Sequence, residues 1–220
     1  MVGSIPTGPS DVPPIDANLR FERLCDDQCH PSGPKTLKEG LGLQCLLKYL
    51  LFGFDEGKTY RDLWVLRMDE PGAKPSQYTH GASLIKQGQF SPDGRFVAYT
   101  SDEAGRYEVY VQPFPDASKG KWVISQAGGV GPLWSRDGRE LFFFSGQKMM
   151  VVDVRANGGP FSASAPRELF SAQVPAGFSN DSHRWQLSPE GKRFLVMVPS
   201  SGASNAYLDV VVNWETLLKQ

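Results

Sequence analysis

One short phrase occurs three times in this chain. Phe90-Ser91-Pro92-Asp93-Gly94-Arg95 runs into Phe96-Val97-Ala98-Tyr99-Thr100-Ser101. Trp134-Ser135-Arg136-Asp137-Gly138-Arg139 runs into Glu140-Leu141-Phe142-Phe143-Phe144-Ser145. Leu187-Ser188-Pro189-Glu190-Gly191-Lys192 runs into Arg193-Phe194-Leu195-Val196-Met197-Val198. The copies begin 44 and then 53 residues apart. Each reads as a tight turn followed by a strand. Pro92 presets φ for the second position of a type I turn, Asp93 tolerates the third, and Gly94 takes a left-handed conformation without a Cβ clash. Arg136 replaces the proline in the second copy and Glu190 the aspartate in the third. The glycine remains in both, so the turn should survive.

The run after each turn has the period of a strand. Phe96, Ala98 and Thr100 fall on one side and Val97 and Tyr99 on the other. The basic residue before each run (Arg95, Arg139, Lys192) should discourage edge pairing. A third strand follows an acidic hairpin, as in Tyr107-Glu108-Val109-Tyr110-Val111-Gln112. A fourth, such as Lys121-Trp122-Val123-Ile124-Ser125, precedes the next unit. Upstream, Lys48-Tyr49-Leu50-Leu51-Phe52 and Asp62-Leu63-Trp64-Val65-Leu66 match Arg95–Tyr99 and Glu108–Gln112, giving a fourth unit that lacks the opening phrase. Leu208-Asp209-Val210-Val211-Val212-Asn213-Trp214 closes the last unit as a β-branched strand, and residues 215–220 read as a short helical tail. Turn-plus-strand units at this period are the signature of propeller blades. The expected fold is all-β: a partial or small β-propeller of about four four-stranded blades over residues 48–220. Residues 1–47 form an irregular or non-native N-terminal segment, with a helical turn or two around 35–47.

Composition narrows the function. A count of 23 Gly and 17 Pro suits a turn-rich β protein. Net charge is −1 and the isoelectric point is near 6.3, so electrostatics make no case for nucleic acid or an anionic membrane. No window approaches the roughly 18 apolar residues of a membrane helix, so no membrane insertion is expected. The start, Met1-Val2-Gly3-Ser4-Ile5-Pro6, has neither a basic nor an apolar region of a signal peptide. A cytoplasmic location is the default expectation. The three cysteines, Cys25, Cys29 and Cys45, do not form a disulfide framework by count or context.

These units, from Lys48 to Trp214, resemble TolB-type β-propeller repeats, which carry the same Phe/Trp-Ser-Pro-Asp-Gly-Arg/Lys phrase. Further stretches are similar to the C-terminal propeller region of bacterial serine/threonine kinases: Tyr60-Arg61-Asp62-Leu63-Trp64-Val65-Leu66, Gly105–Pro115, Pro166-Arg167-Glu168-Leu169-Phe170 and Val211-Val212-Asn213-Trp214. No kinase signature is present in the sequence. The resemblance implies closure with six or so blades, where about four are counted. That leaves two explanations: a truncated reading frame joined to unrelated sequence, or two chains completing one ring.

Several patches bear on chemistry. Cys25-Asp26-Asp27-Gln28-Cys29-His30 is the most metal-like, with Cys25, Cys29 and His30 as soft ligands, but no second pair of ligands follows. Gly177-Phe178-Ser179-Asn180-Asp181-Ser182-His183 places Ser179, Asp181 and His183 together. Asp181 stands where a nucleophile elbow needs glycine, and triad members converge from distant segments. A polar loop is the plainer reading. Asp102, Glu103, Asp116 and Asp153 fit no Ca²⁺ loop and read as solvated hairpin acids. Gly128-Gly129-Val130-Gly131 precedes a strand rather than a phosphate-binding helix. Trp64, Tyr110, Trp122, Trp134, Trp185 and Trp214 recur at blade positions, as inter-blade core or as lining of a central funnel. No motif calls for a cofactor.

The expected role is a non-enzymatic propeller module for protein, peptide or small-ligand binding, a sensor or scaffold part of a larger signalling protein. The rival is a small esterase-like serine hydrolase using Ser179 and His183. A third reading is a truncated fragment without independent function, self-associating through open blade edges.

Overall fold

A computed structural model describes residues 35–37, 43–46, 48–55, 61–156, 160–172, 185–188, 190–197 and 210–211. Among them there is no α-helix, and so none long and apolar enough to cross a membrane. The strands form four antiparallel sheets in chain order. The first holds β1 (Lys35–Leu37), β2 (Leu43–Leu46), β3 (Tyr49–Asp55), β4 (Arg61–Arg67) and β5 (Ser76–Gln77). The second holds β6 (Ile85–Phe90), β7 (Phe96–Ser101), β8 (Glu108–Pro113) and β9 (Trp122–Val123). In the third, β10 (Val130–Trp134), β11 (Glu140–Ser145), β12 (Lys148–Arg155) and β13 (Ser162–Ala163) follow one another, and β14 (Arg167–Ser171) also pairs with β12. The fourth holds β15 (Trp185–Leu187), β16 (Phe194–Val196) and β17 (Val210–Val211). Among the described residues a 3₁₀ turn, Ala117–Lys119, lies between β8 and β9.

The strand alternation has a specific outcome. Val97 and Tyr99 of β7 pack with Leu51, Leu63 and Val65 of the first sheet. Phe96 and Ala98 of the same strand pack with Leu141, Phe143 and Val152 of the third. The pattern repeats one sheet on: Phe142 and Phe144 face Trp185, Phe194 and Val196 of the fourth. Every residue of β7 is buried, because both of its faces are interfaces. Among the described residues, each of these clusters joins one sheet to the next, and a further cluster of Leu50, Phe52 and Trp64 belongs to the first sheet alone.

The repeated phrase builds one object three times. The Ser91 carbonyl accepts from Gly94 N (2.9 Å), that of Ser135 from Gly138 N (3.0 Å), and that of Ser188 from Gly191 N (2.8 Å). The three glycines have φ of +69°, +70° and +74°, a region costly to a residue bearing a Cβ. The serine does as much as the glycine. Ser91 Oγ donates to Asp93 Oδ1 (2.6 Å) and accepts from Phe96 N (3.0 Å). Ser135 Oγ repeats this with Asp137 (2.8 Å) and Glu140 N (2.9 Å). Ser188 Oγ accepts from Arg193 N (3.1 Å), while the longer Glu190 takes Arg193 Nε (2.6 Å). The substitutions at Arg136 and Glu190 therefore leave the turn intact, as expected.

Two details differ from the sequence expectations. Within the stretch 35–47, where a helical turn or two is expected, the described residues Lys35–Leu37 and Leu43–Leu46 are strands, and β2 pairs with β3 from Leu46↔Tyr49 to Gln44↔Leu51. Gly40 and Gly42 weaken a helix, whereas β3 offers these residues a ladder of backbone partners. The first sheet thus makes its opening hairpin without the phrase. Arg95 does more than guard an edge. Its Nε donates to Asp93 Oδ2 (2.7 Å) and its Nη2 to Ala156 O (2.6 Å), just past the end of β12.

Candidate functional site

Sheets buried on both faces present their strand ends to the outside. One end carries the phrase turns. The other carries the acidic hairpins and the connections between sheets, and its geometry is the more elaborate.

At that loop end, Glu108 opens β8 and is 2% exposed. Its carboxylate accepts from Ser125 Oγ, from Arg106 Nε, and from Gly128 N at 3.1 Å to each oxygen. Ser125 Oγ in turn accepts from Val109 N (2.8 Å). Desolvation works to raise the Glu108 pKa, but the bonds from Ser125, Arg106 and Gly128 together hold it below the usual carboxylate range. Arg106 Nη2 donates to Gln126 O (3.0 Å) and Gly129 N to Tyr107 O (2.9 Å), so the hairpin is tied to the connection entering β10. The first sheet carries the same clamp. Asp62 accepts from Thr79 Oγ1 (3.1 Å) and Gln77 Nε2 (2.9 Å), and Thr79 Oγ1 accepts from Leu63 N (2.8 Å). In both sheets 17 residues separate the carboxylate from its hydroxyl.

Beside this clamp lies the start of β6. Lys86, 7% exposed, places Nζ 3.0 Å from Tyr107 Oη and 4.7 Å from the centre of that ring. Gln87, 3% exposed, has φ of +56°. Its Oε1 accepts from Gly131 N (2.8 Å) and Thr100 Oγ1 (2.9 Å), joining β6 to both β7 and β10.

The turn end of the third sheet holds an open depression of about 630 Å³ lined by Asp137, Arg139, Glu140, Asp153, Val154, Arg155 and Ala156. Arg167 Nη2 lies 3.3 Å from Glu140 and 3.9 Å from Asp153. Burial pushes the Glu140 carboxyl up; Arg167 opposes that, and Asp153 and Asp137 add to it. The lining mixes the acids Asp137, Glu140 and Asp153 with the arginines Arg139 and Arg155, the composition of a solvated ionic surface.

The residues singled out from sequence are distributed as follows. Asp102 accepts from Leu84 N (2.8 Å), Glu103 pairs with Lys121, and Asp116 caps the 3₁₀ turn through Ser118 N (3.0 Å). With Asp153 beside Arg167, the four acids are not brought together. Among the described residues, no group of three or more His, Cys, Asp or Glu is placed to hold a metal ion. Gly128–Gly131 leads into β10. Tyr110, Trp134 and Trp185 are buried between sheets, Trp64 is buried on the first, and Trp122 packs on Phe161 at 4.5 Å between ring centres. Cys25, Cys29, His30, Ser179, Asp181, His183 and Trp214 lie outside the described residues. Sequence reasoning missed Gln87 and both clamps. The alignment of Asp62-Leu63 with Glu108-Val109 held the signal for the clamps, since Thr79 and Ser125 follow at equal offsets.

No family model matches the chain. The uncharacterized peptidase YuxL of Bacillus subtilis (strain 168) is 30% identical over 81 residues, which are 36% of this chain and 12% of that protein. TolB from Acinetobacter baumannii superposes with a TM-score of 0.55 at 16% identity, over 76% of this chain and 38% of that one. The fold is a β-propeller. TolB-type propellers are among its structural neighbours, as is the Pseudomonas aeruginosa periplasmic gluconolactonase PpgL (TM-score 0.45, 18% identity, 74% of this chain and 53% of that one). The propeller thus spans well under two thirds of each of these proteins.

Proposed function

We propose that the chain is a non-enzymatic binding module that takes a protein, peptide or small ligand at the loop end of its sheets. It would serve as the sensor or scaffold part of a larger signalling protein, of the kind in which a propeller follows a serine/threonine kinase domain. The burial of β7 and β11 on both faces carries this reading. Packing between sheets occupies the strand side chains, so recognition falls to the loops, where the carboxylate of Glu108 ties its hairpin to the connection entering β10 and that of Asp62 ties β4 to residues 77–79. A rigid loop loses less entropy on binding than a mobile one. The hydroxyls of Ser91, Ser125 and Ser135 are engaged in turns and clamps, which supports binding over nucleophilic chemistry at these positions.

The test is to select peptides on the full chain from a displayed random library and measure them by calorimetry. Ala104→Trp obstructs the loop end and should weaken binding; Lys119→Trp at the turn end should not. The reverse pattern would move the site to the turn end. Failure of every peptide to bind saturably would defeat the reading.

A second reading is a small esterase-like serine hydrolase in which Ser179 and His183 supply the chemistry; the partial match to a protein described as a peptidase is what keeps it open. Ester cleavage by the chain, lost in a folded Ser179→Ala variant, would establish it. Activity unchanged in that variant, or absent from the parent, would remove it.

A further inference from the structure

Gln87 is the one non-glycine residue with left-handed backbone among the described residues. It sits where the pairing of β6 with β7 shifts register between Lys86 and Gln89. The third sheet makes the matching shift with Gly131, at φ +65°. Glycine adopts this conformation freely, and a residue with a side chain does not. Something about the Gln87 side chain offsets that strain.

Part of the answer is the pair of bonds accepted by Oε1 from Gly131 N and Thr100 Oγ1. The Gly131 N–H can only donate, so these bonds also fix which end of the amide is oxygen. They do not account for glutamine. A glutamate would accept both, whereas the amide adds a donor. That donor, Nε2, is buried and has no partner. A second buried donor without a partner, Trp185 Nε1, lies on the first strand of the fourth sheet. Buried donors without acceptors are rare and costly. On the same end of β6, Lys86 brings a buried ammonium against Tyr107.

We propose that the loop-end edge of β6 binds a carboxylate, with Gln87 Nε2 donating to one of its oxygens and the ammonium of Lys86, on the same end of the strand, adding attraction from a greater distance. An N–H bond to an ionised oxygen is stronger than one to a neutral acceptor, and the buried ammonium adds attraction at low dielectric. The carboxylate belongs either to a small free acid or to the C-terminus of a peptide. This inference rests on the chain being a binding module and identifies the ligand group.

The experiment follows the Gln87 side-chain amide of the full chain by ¹H–¹⁵N NMR, assigned by its loss in Gln87→Glu. Acetate, trialanine and trialanine amide are titrated in turn. The expected result is a saturable shift with acetate and with trialanine, but not with the amide. Tighter binding of trialanine assigns the site to a peptide C-terminus; equal or tighter binding of acetate assigns it to a small acid. Gln87→Glu keeps the acceptor oxygen, so thermal melting should show the fold retained while binding of trialanine weakens about tenfold or more. If that variant melts early, Lys86→Met is the replacement, and it should weaken binding while leaving the Gln87 resonance in place. No saturable shift with either acid, with a water cross-peak on Nε2, would mean a buried water only and would overturn the proposal. So would unaltered binding by the variants. If library peptides bind while acetate and Gln87→Glu have no effect, the binding module stands and this inference alone falls.

Discussion

Ser91 shows how much one hydroxyl can hold. It is 3% exposed, donates to the aspartate of its own turn, and accepts the N–H that begins the next strand. Ser91→Ala strands the buried Phe96 N–H, and the cost of such a group is about 1–3 kcal/mol. Urea unfolding should show that loss for Ser91→Ala and a smaller one for Ser188→Ala, whose equivalent bond is exposed. Equal midpoints for the wild type and Ser91→Ala would mean that glycine alone makes the turn. The phrase was legible because it repeats. The serine's part in it was not, because a hydroxyl in a turn looks the same in sequence whether it faces water or a backbone N–H.

At the scale of elements, β11 tests the alternating use of a strand. Phe142 packs on the fourth sheet and Phe143 on the second, and each is 1% exposed. Either residue changed to Ala should cost about 3–5 kcal/mol. The effects should travel in opposite directions. Hydrogen exchange should quicken in β15 and β16 for Phe142→Ala, and in β7 and β8 for Phe143→Ala, since among the described residues each inter-sheet cluster joins adjacent sheets. Uniform exchange throughout the chain in both variants would mean that the sheets unfold as one unit. Sequence period predicted the alternation but not that both sides would be dry. A strand of Phe96-Val97-Ala98-Tyr99-Thr100-Ser101 reads equally well with one face in water, and the neighbouring sheets decide otherwise. The same holds for β1 and β2, whose residues lack strong strand preference and gain their structure from pairing with β3.

The whole molecule has a pH dependence that follows from three tyrosines between the first and second sheets. Burial, with Asp116 adding, pushes the Tyr78 phenol up; burial, with Glu103 adding, does the same for Tyr99. Tyr110 is pushed up to about 12, by burial first and then by Glu103. An unfolded chain ionises its tyrosines near pH 10, whereas the folded chain keeps these protonated to higher pH. Their contribution to stability is therefore complete below about pH 10 and is lost as pH rises further. Thermal melting should fall between pH 10 and 12, and Tyr78→Phe should reduce that slope while lowering stability at neutral pH, because Tyr78 Oη donates to Pro113 O (2.9 Å). A flat profile would contradict the burial of these phenols. The four sheets, with no cluster among the described residues joining the fourth back to the first, lead to a second prediction. Open blade edges should associate, so the mass from light scattering should rise with concentration; a constant monomer mass would exclude association.

The amino-acid sequence by itself determined the repeated turn, the strand that follows it, and hence the propeller. Those features rest on local physics: the φ that glycine and proline accept, and a side-chain period of two. The tertiary structure alone decided what lies between the sheets. Gln87 meets Gly131, and Arg95 meets Ala156, across 44 and 61 residues of chain. No local preference encodes such a meeting. The meeting of Gln87 with Gly131 arises because sheets stacked on both faces bring the same position of successive units side by side, where a glutamine and a glycine do different work.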